Sequence, residues 1–203
     1  MKTRRSVGVF FVRGLLWVSS GFAATRYVDV SNAAPAAPYT NWSMAATAIQ
    51  PAIDAAANGD DILVAPGTYL LTGSDILVPI DKALALRGTQ SRAAVVDAQG
   101  LSRGMRIEGA GSRIEGFTIR NGSAIGYGGG GVNLLTNCVV QDCLIVSNRA
   151  TSGGGVSLRS GAVVQDCDLV GNRADFGGGA IVSPGGLVQR CTVASNTATY
   201  GGG

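Results

Sequence analysis

From Gly129 onward the chain repeats itself every 24 residues. Glycine triplets open each unit at Gly129-Gly130-Gly131, Gly153-Gly154-Gly155 and Gly177-Gly178-Gly179, and Gly201-Gly202-Gly203 starts a further unit. Gln141, Gln165 and Gln189 recur at the same interval. So do Cys143, Cys167 and Cys191, then Asn148, Asn172 and Asn196, then Ala150, Ala174 and Ala198. A fixed period of this length marks a solenoid or a related array.

The content of the unit selects the kind of solenoid. Apolar runs such as Cys138-Val139-Val140 and Leu144-Ile145-Val146 are too short for a helical hairpin, and glycine triplets destabilise helix interiors. Short β-branched runs punctuated by Gly, Asn, Ser and Asp read as strands between turns. One unit is therefore one coil of a parallel β-helix, with coils stacked at about 4.8 Å. Stacking predicts inward columns of Val140, Val164 and Val188, of Ile145, Leu169 and Val193, and of the three repeated cysteines. The asparagines are expected at turns, taking left-handed backbone angles and hydrogen-bonding up and down their column. The glycine triplets are expected to form another corner.

Composition fits such a solenoid: 46% of the 203 residues are hydrophobic, 31 are glycine, and 14% are charged. The formal charge of +3 owes four of its sixteen basic residues to Lys2, Arg4, Arg5 and Arg13; without them twelve face thirteen acids, a balance of −1. There is no basic stripe with interleaved aromatics, so no nucleic-acid partner is expected. Histidine is absent, which removes the commonest general base and any Ser/His/Asp triad. Four cysteines allow a disulfide in an exported protein. Three of them stack, however, and stacked counterparts point the same way, which suits buried free thiols better. Cys138 has no counterpart, because Ala162 and Gly186 take its place.

Met1 to Ala23 reads as a secretory signal peptide: a basic start, apolar runs at Val7–Val12 and Leu15–Val18, and Gly21-Phe22-Ala23 before the cut. No later stretch is expected to span a membrane as a helix. Residues 24–61 are assigned to an N-terminal strand (Thr25–Val30), a loop and a capping helix. Thr47-Ala48-Ile49-Gln50 has the form of a capping box, Ile49, Ala52, Ile53 and Ala56 form an apolar stripe, and Asn58-Gly59 ends the helix. Residues 62–203 are assigned to the β-helix, about six coils long. Strands are expected at Ala83–Arg87, Ala94–Asp97, Met105–Ile107 and Ile114–Ile119, with Phe117 in the place of the cysteine.

Two resemblances sharpen this reading. A helix followed by Gly59-Asp60-Asp61-Ile62-Leu63-Val64-Ala65-Pro66-Gly67-Thr68-Tyr69 resembles the start of right-handed parallel β-helix proteins of the pectin-lyase-like superfamily. That handedness is also what crossover connections favour. The resemblance implies an all-β, right-handed parallel β-helix with an N-terminal cap. Gly177-Gly178-Gly179-Ala180-Ile181, with Asn-x-Ala at 148–150, 172–174 and 196–198, is similar to the repeats of polymorphic outer membrane proteins. Those repeats pair the glycine motif with Phe-x-x-Asn; here Ile145, Leu169 and Val193 stand where the Phe would be. This second resemblance implies surface display, adhesion, and a C-terminal membrane barrel that these residues do not contain.

The resemblance to β-helix lyases implies a Lys or Arg base and clustered acids holding calcium. Lys82 is the one lysine after the leader, and it lies near the capped end. Arg149 and Arg173 are stacked counterparts, with Thr197 in the third place, and read as solvated edge residues. Asp142 and Asp166 are counterparts, with Asp168 two beyond and Arg190 in the third unit; this group is thin for calcium, which wants six or more oxygen ligands. Asp60-Asp61 reads as a turn rather than a metal site, and Gly128–Gly131 as a corner rather than a phosphate loop, since no Lys-Ser/Thr follows. No catalytic, cofactor-binding or metal-ligating residue is assigned; calcium is the one cofactor left open.

The sequence therefore predicts an exported, surface or extracellular repeat protein that displays a long face for adhesion or for contact with polysaccharide or cell-surface glycan. The alternatives are a carbohydrate-active lyase or hydrolase, whose acids and base would stand on one strand face, and an architectural stalk. Loss of binding on changing a face residue such as Arg159 would count against the stalk. An unpaired last coil ending in glycines leads to the further expectation of a longer protein with more coils or an anchor beyond Gly203.

Overall fold

A computed structural model describes residues 23–201. The proposed leader, Met1 to Ala23, lies outside the described residues except for Ala23 itself. The chain forms a parallel β-solenoid of about six turns, with one α-helix, Ile49–Ala55, among the described residues. No described helix is long and apolar enough to cross a membrane.

Four parallel sheets run along the solenoid. The seven-stranded sheet begins with Thr25–Val28 and ends with Leu187–Gln189. Its first strand pairs with Asp61–Val64, so the segment assigned to the cap also supplies the first rung. The six-stranded sheet runs from Gly67–Leu70 to Thr192–Ala194, and the five-stranded sheet from Ile76–Val78 to Ala180–Val182. The four-stranded sheet is added later in the chain: Ser123–Gly128, Arg149–Ser152, Arg173–Phe176 and Thr197–Tyr200. In the seven-stranded sheet Asp61 pairs with Ala85, Ala85 with Arg113, Arg113 with Val139, and Val139 with Val163. The interval becomes a steady 24 residues only in the last coils.

The inward columns form as the repeat requires. Ile114, Val140, Val164 and Val188 stack in register, as do Ile119, Ile145, Leu169 and Val193. Val140, Val164, Ile145 and Leu169 are fully buried, each contributing about 1.5–3 kcal/mol. Cys138, Cys143 and Cys167 are buried and Cys191 partly so, and all four are free thiols. Burial raises the Cys138 thiol to about 11 and holds that of Cys143 well above its ordinary value. Phe117 fills the place of the cysteine one coil earlier, as the pattern predicts.

The asparagine column is an amide ladder. Asn148 Nδ2 donates to Asn172 Oδ1 at 3.0 Å and to Ile119 O at 3.1 Å. Asn172 Nδ2 repeats this with Asn196 Oδ1 at 3.1 Å and Ile145 O at 2.8 Å. Each Oδ1 also accepts a backbone N–H, so the buried Asn148 and Asn172 and the half-buried Asn196 are well satisfied. The asparagines do not themselves take the left-handed angle. Ser147, Gly171 and Ser195, one residue earlier, do so, because the asparagine side chain must point inward to reach the next rung. A second one-residue bend falls at Gly116, Asp142, Asp166 and Arg190.

The glycine triplets make the corner between the four- and five-stranded sheets. Gly129, Gly153 and Gly177 carry positive φ of 70°, 58° and 58°. A Cβ on Gly131 would lie 2.8 Å from Asn148 Nδ2 and 2.8 Å from Gly155 O, so the ladder and the corner exclude side chains together.

The expected strands Ala94–Asp97 and Met105–Ile107 form as drawn, while Ile114–Ile119 is broken at Gly116, where φ is 76°. The helix starts later than the capping box implies. Its cap position is Ala48, which makes no side-chain hydrogen bond. Gln50 turns instead to the first coil, accepting from Leu77 N at 2.8 Å and donating to Leu77 O. That pairing ties the cap to the sheet edge, and Ile49, Ala52 and Ile53 are buried beneath it.

Candidate functional site

The residues weighed for chemistry take structural posts. Lys82 Nζ donates to Ile53 O at 3.0 Å and Asp54 O at 3.1 Å, closing the last turn of the helix. Asp60 is buried, pairs with Arg26 at 3.1 Å, and accepts from Ala24 N and Ala57 N. Asp61 faces Arg87 at 3.7 Å.

Asp142, Asp166 and Asp168 do come together, but arginines already occupy the space between them. Arg92 reaches across from the early coils to Asp142 at 3.3 Å and to the Asp168 carboxylate, and donates to Asp166 O. Arg190 forks onto Asp166 at 2.7 and 2.8 Å. The hydrogen bond from Arg92 holds the Asp168 carboxyl below its ordinary value, against a smaller opposing effect of burial. This charge-paired cluster uses its carboxylates on guanidinium groups. Among the described residues no group of three or more Cys, Asp or Glu is placed to hold a metal ion.

The most chemically varied hollow lies outside the glycine corner. It has a volume of about 460 Å³ and is lined by Arg103, Arg106, Glu108, Tyr127, Asn133, Leu135 and Arg159. Tyr127 comes from the four-stranded sheet. Arg106 and Asn133 are register partners on the five-stranded sheet, followed in the same row by Ser157 and Ile181. Glu108, Leu135 and Arg159 follow the strand ends on successive rungs, where their N–H groups bond to the preceding coil. With rungs about 4.8 Å apart, Glu108 and Arg159 stand roughly 10 Å from each other along the axis.

Each charge in the hollow has a distinct standing. Arg103 is a staple: its Nε donates to Gly129 O at 2.8 Å, one Nη to Gly128 O at 2.9 Å and the other to Asp75 at 3.2 Å. Arg106 lies between Asp75, 3.4 Å from its Nε, and Glu108, 3.3 Å from its Nη1. Its Nε is the one buried side-chain nitrogen or oxygen among the described residues without a hydrogen-bond partner, because the Asp75 contact is not aligned for one. Arg159 is exposed and has no carboxylate within ion-pair distance among the described residues. Three arginines against Asp75 and Glu108 leave one positive charge in surplus. Asn133 and Tyr127 add neutral polar groups and a flat ring, 72% of the tyrosine being exposed.

Of this set the sequence alone points to Arg159. The others sit on the two preceding coils, where register partners such as Arg106 and Asn133 are 27 rather than 24 residues apart, and only the sheet register reveals them as neighbours. A second hollow of about 310 Å³ shares Arg103 and Tyr127 and continues past Asp75, Leu101 and Ser123. A third, more apolar and about 370 Å³, lies beside the helix between Val30, Ile49, Tyr69, Leu70 and Ile76.

Fold and hollow together define a parallel β-solenoid repeat protein with a polar groove along one corner. No family model matches the chain, and neither does any curated protein or solved structure.

Proposed function

We propose that this chain is an exported, non-catalytic solenoid whose corner groove holds glycan, in the manner of a surface adhesin or glycan-contact scaffold. The observation that carries the reading is the lining of the groove: an exposed tyrosine ring, an uncompensated Arg159 and the amide of Asn133 beside one another. Flat rings take the apolar face of a sugar, and guanidinium and amide groups hydrogen-bond its hydroxyls or an acidic substituent. The acid of the groove, Glu108, is paired with Arg106, so it serves contact better than proton transfer. The signal-peptide pattern and the glycine and Asn-x-Ala motifs support export and surface display.

The test is titration calorimetry of the full chain with neutral and uronate hexasaccharides. Binding of at least one probe is expected, weakened about tenfold, or about 1.4 kcal/mol, by Tyr127→Ala or by Arg159→Ala. Equal binding by both variants would remove the groove from the account. Appearance of unsaturated chain ends on incubation with the uronate probe would establish the lyase alternative instead.

A further inference from the structure

The row beside the glycine corner holds an unfinished stack of rings. Gly128, Ser152, Phe176 and Tyr200 are register partners on successive strands of the four-stranded sheet. Phe176 and Tyr200 have centroids 5.3 Å apart and planes 28° apart. Two rings this close cannot lie side by side in one plane; they meet face to face, with their faces directed along the solenoid axis. One face of Phe176 is therefore covered by Tyr200, and the other looks toward the rung of Ser152. There the row offers a hydroxymethyl group, and on the next rung, at Gly128, no side chain at all. Phe176 remains 48% exposed.

The space over Phe176 at the rung of Ser152 is one rung deep, about 4.8 Å. Tyr200 needs nearly the same rise to stack on Phe176. The vacant rung thus has the depth of one more flat ring. Its side wall is polar toward Gly128 and apolar toward Phe176. A Cβ on Gly128 would lie 2.9 Å from Ser157 Oγ, and one on Gly153, next to Ser152, 2.8 Å from Ile181 Cγ2, so this row leans toward the outer face of the five-stranded sheet, where Asn133, Ser157 and Ile181 are neighbours in register. Neither the Asn133 amide nor the Ser157 hydroxyl bonds to another described residue, whereas Thr151 on the same strand as Ser152 is engaged by Gly126 N at 2.7 Å. An apolar ring face with free hydrogen-bonding groups along one edge matches a pyranose, which is apolar on its faces and hydroxylated around its rim. A phenyl ring from a peptide would leave that polar edge unused.

We propose that the vacant rung between Phe176 and Gly128, edged by Ser157 and Ile181, is a sugar-ring subsite in which one pyranose of a bound glycan continues the Phe176–Tyr200 stack. It rests on the glycan-contact reading of the neighbouring groove and adds to it a defined position. Tyr127 precedes Gly128 in the chain, so a glycan seated here runs on toward Arg159 and Asn133.

Ser152→Phe tests this directly. The same row already carries Phe and Tyr on the next two rungs, so the substitution extends an existing stack and fills the subsite with protein. In calorimetry with the hexasaccharide that the full chain binds best, Ser152→Phe is expected to lose affinity tenfold or more while its thermal midpoint stays level or rises. Phe176→Ala is expected to lose a comparable amount, and Ser157→Ala about threefold. Unchanged affinity in Ser152→Phe, with loss in Tyr127→Ala or Arg159→Ala, would overturn the subsite and leave the groove standing. Failure of the unaltered chain to bind any probe would overturn both. Binding of N-acetyl-tyrosinamide, blocked by Ser152→Phe, with no sugar bound, would overturn the sugar assignment in favour of a peptide.

Discussion

The early coils and the regular array solve one problem in two ways. Each coil must bend several times and leave its backbone groups paired with the coils above and below. From Gly129 onward the bends are stacked: one-residue left-handed turns, an amide ladder and a glycine corner recur at every rung. Before Ser123 the four-stranded sheet is missing, and the chain passes from Gly67–Leu70 to Ile76–Val78, and from Ala94–Asp97 to Met105–Ile107, through loops. There the loops are tied by ion pairs and side-chain bonds particular to each coil, such as Asp97 with Arg120, Asn121 and Gln99 N, or Arg103 with Asp75. Repetition lets the array use small residues at its corners. The irregular coils need charged side chains as individual braces, and two of those, Arg103 and Arg106, end in the groove.

The contrast should show most strongly at glycine. A Cβ on Gly154 would meet the carbonyl oxygens of Arg173 and Gly178, the latter at 2.5 Å, whereas one on Gly100 meets open space. Gly154→Val is expected to cost at least about 4 kcal/mol in urea unfolding, and Gly100→Ala only about 1 kcal/mol from its positive φ of 76°. Equal costs would mean that the array is no more constrained than the loops.

Asparagine gives the next largest difference. Asn172→Ala leaves Asn148 N, Asn148 Nδ2 and Ile145 O without these partners in a buried row, at about 3 kcal/mol. Asn121→Gly, which suits the positive φ of 55° there, removes one bond to Asp97 at an exposed position and should cost about 1 kcal/mol. Arg92→Ala cuts the tie between the two regions. Because this guanidinium is about a third exposed, the cost should be about 1 kcal/mol, with faster amide exchange confined to the bends at Asp142 and Asp166.

Acid sensitivity should be the smallest effect. Burial pushes the Asp97 carboxyl up, but hydrogen bonds from Asn121, Gln99 N and Arg120 outweigh it and hold it below its ordinary value. Such a group stabilises the fold above its unfolded value of about 3.9, and that contribution is lost as pH falls through the folded one. The thermal midpoint is expected to be level from about pH 8 to 5 and to fall below about pH 4, less steeply in Asp97→Asn.

The same contrast explains what could be read from the sequence. The array announces itself because identical side chains must stack, so Val140, Cys143 and Asn148 each predict their partners. The four-stranded sheet is not legible in the sequence, because a strand such as Arg149–Ser152 turns only Ala150 fully inward between a turn and a glycine corner. Gly67–Leu70 and Ile76–Val78 have no repeating partner to announce them, and the capping-box pattern at Thr47–Gln50 does not reveal that Gln50 has Leu77 to bond. The groove was hidden for a related reason. Arg103, Arg106 and Tyr127 belong to coils whose lengths differ from the period, so their nearness to Arg159 follows from register alone.

Hydrogen–deuterium exchange of the full chain, with and without the best-binding hexasaccharide, tests the central claim most directly. Glycan contact at the corner predicts slowed exchange at residues 127–134, 149–159 and 173–177, with the helix and residues 68–76 unchanged. Slowing confined to residues 47–50 and 68–76, around the apolar hollow beside the helix, would contradict it.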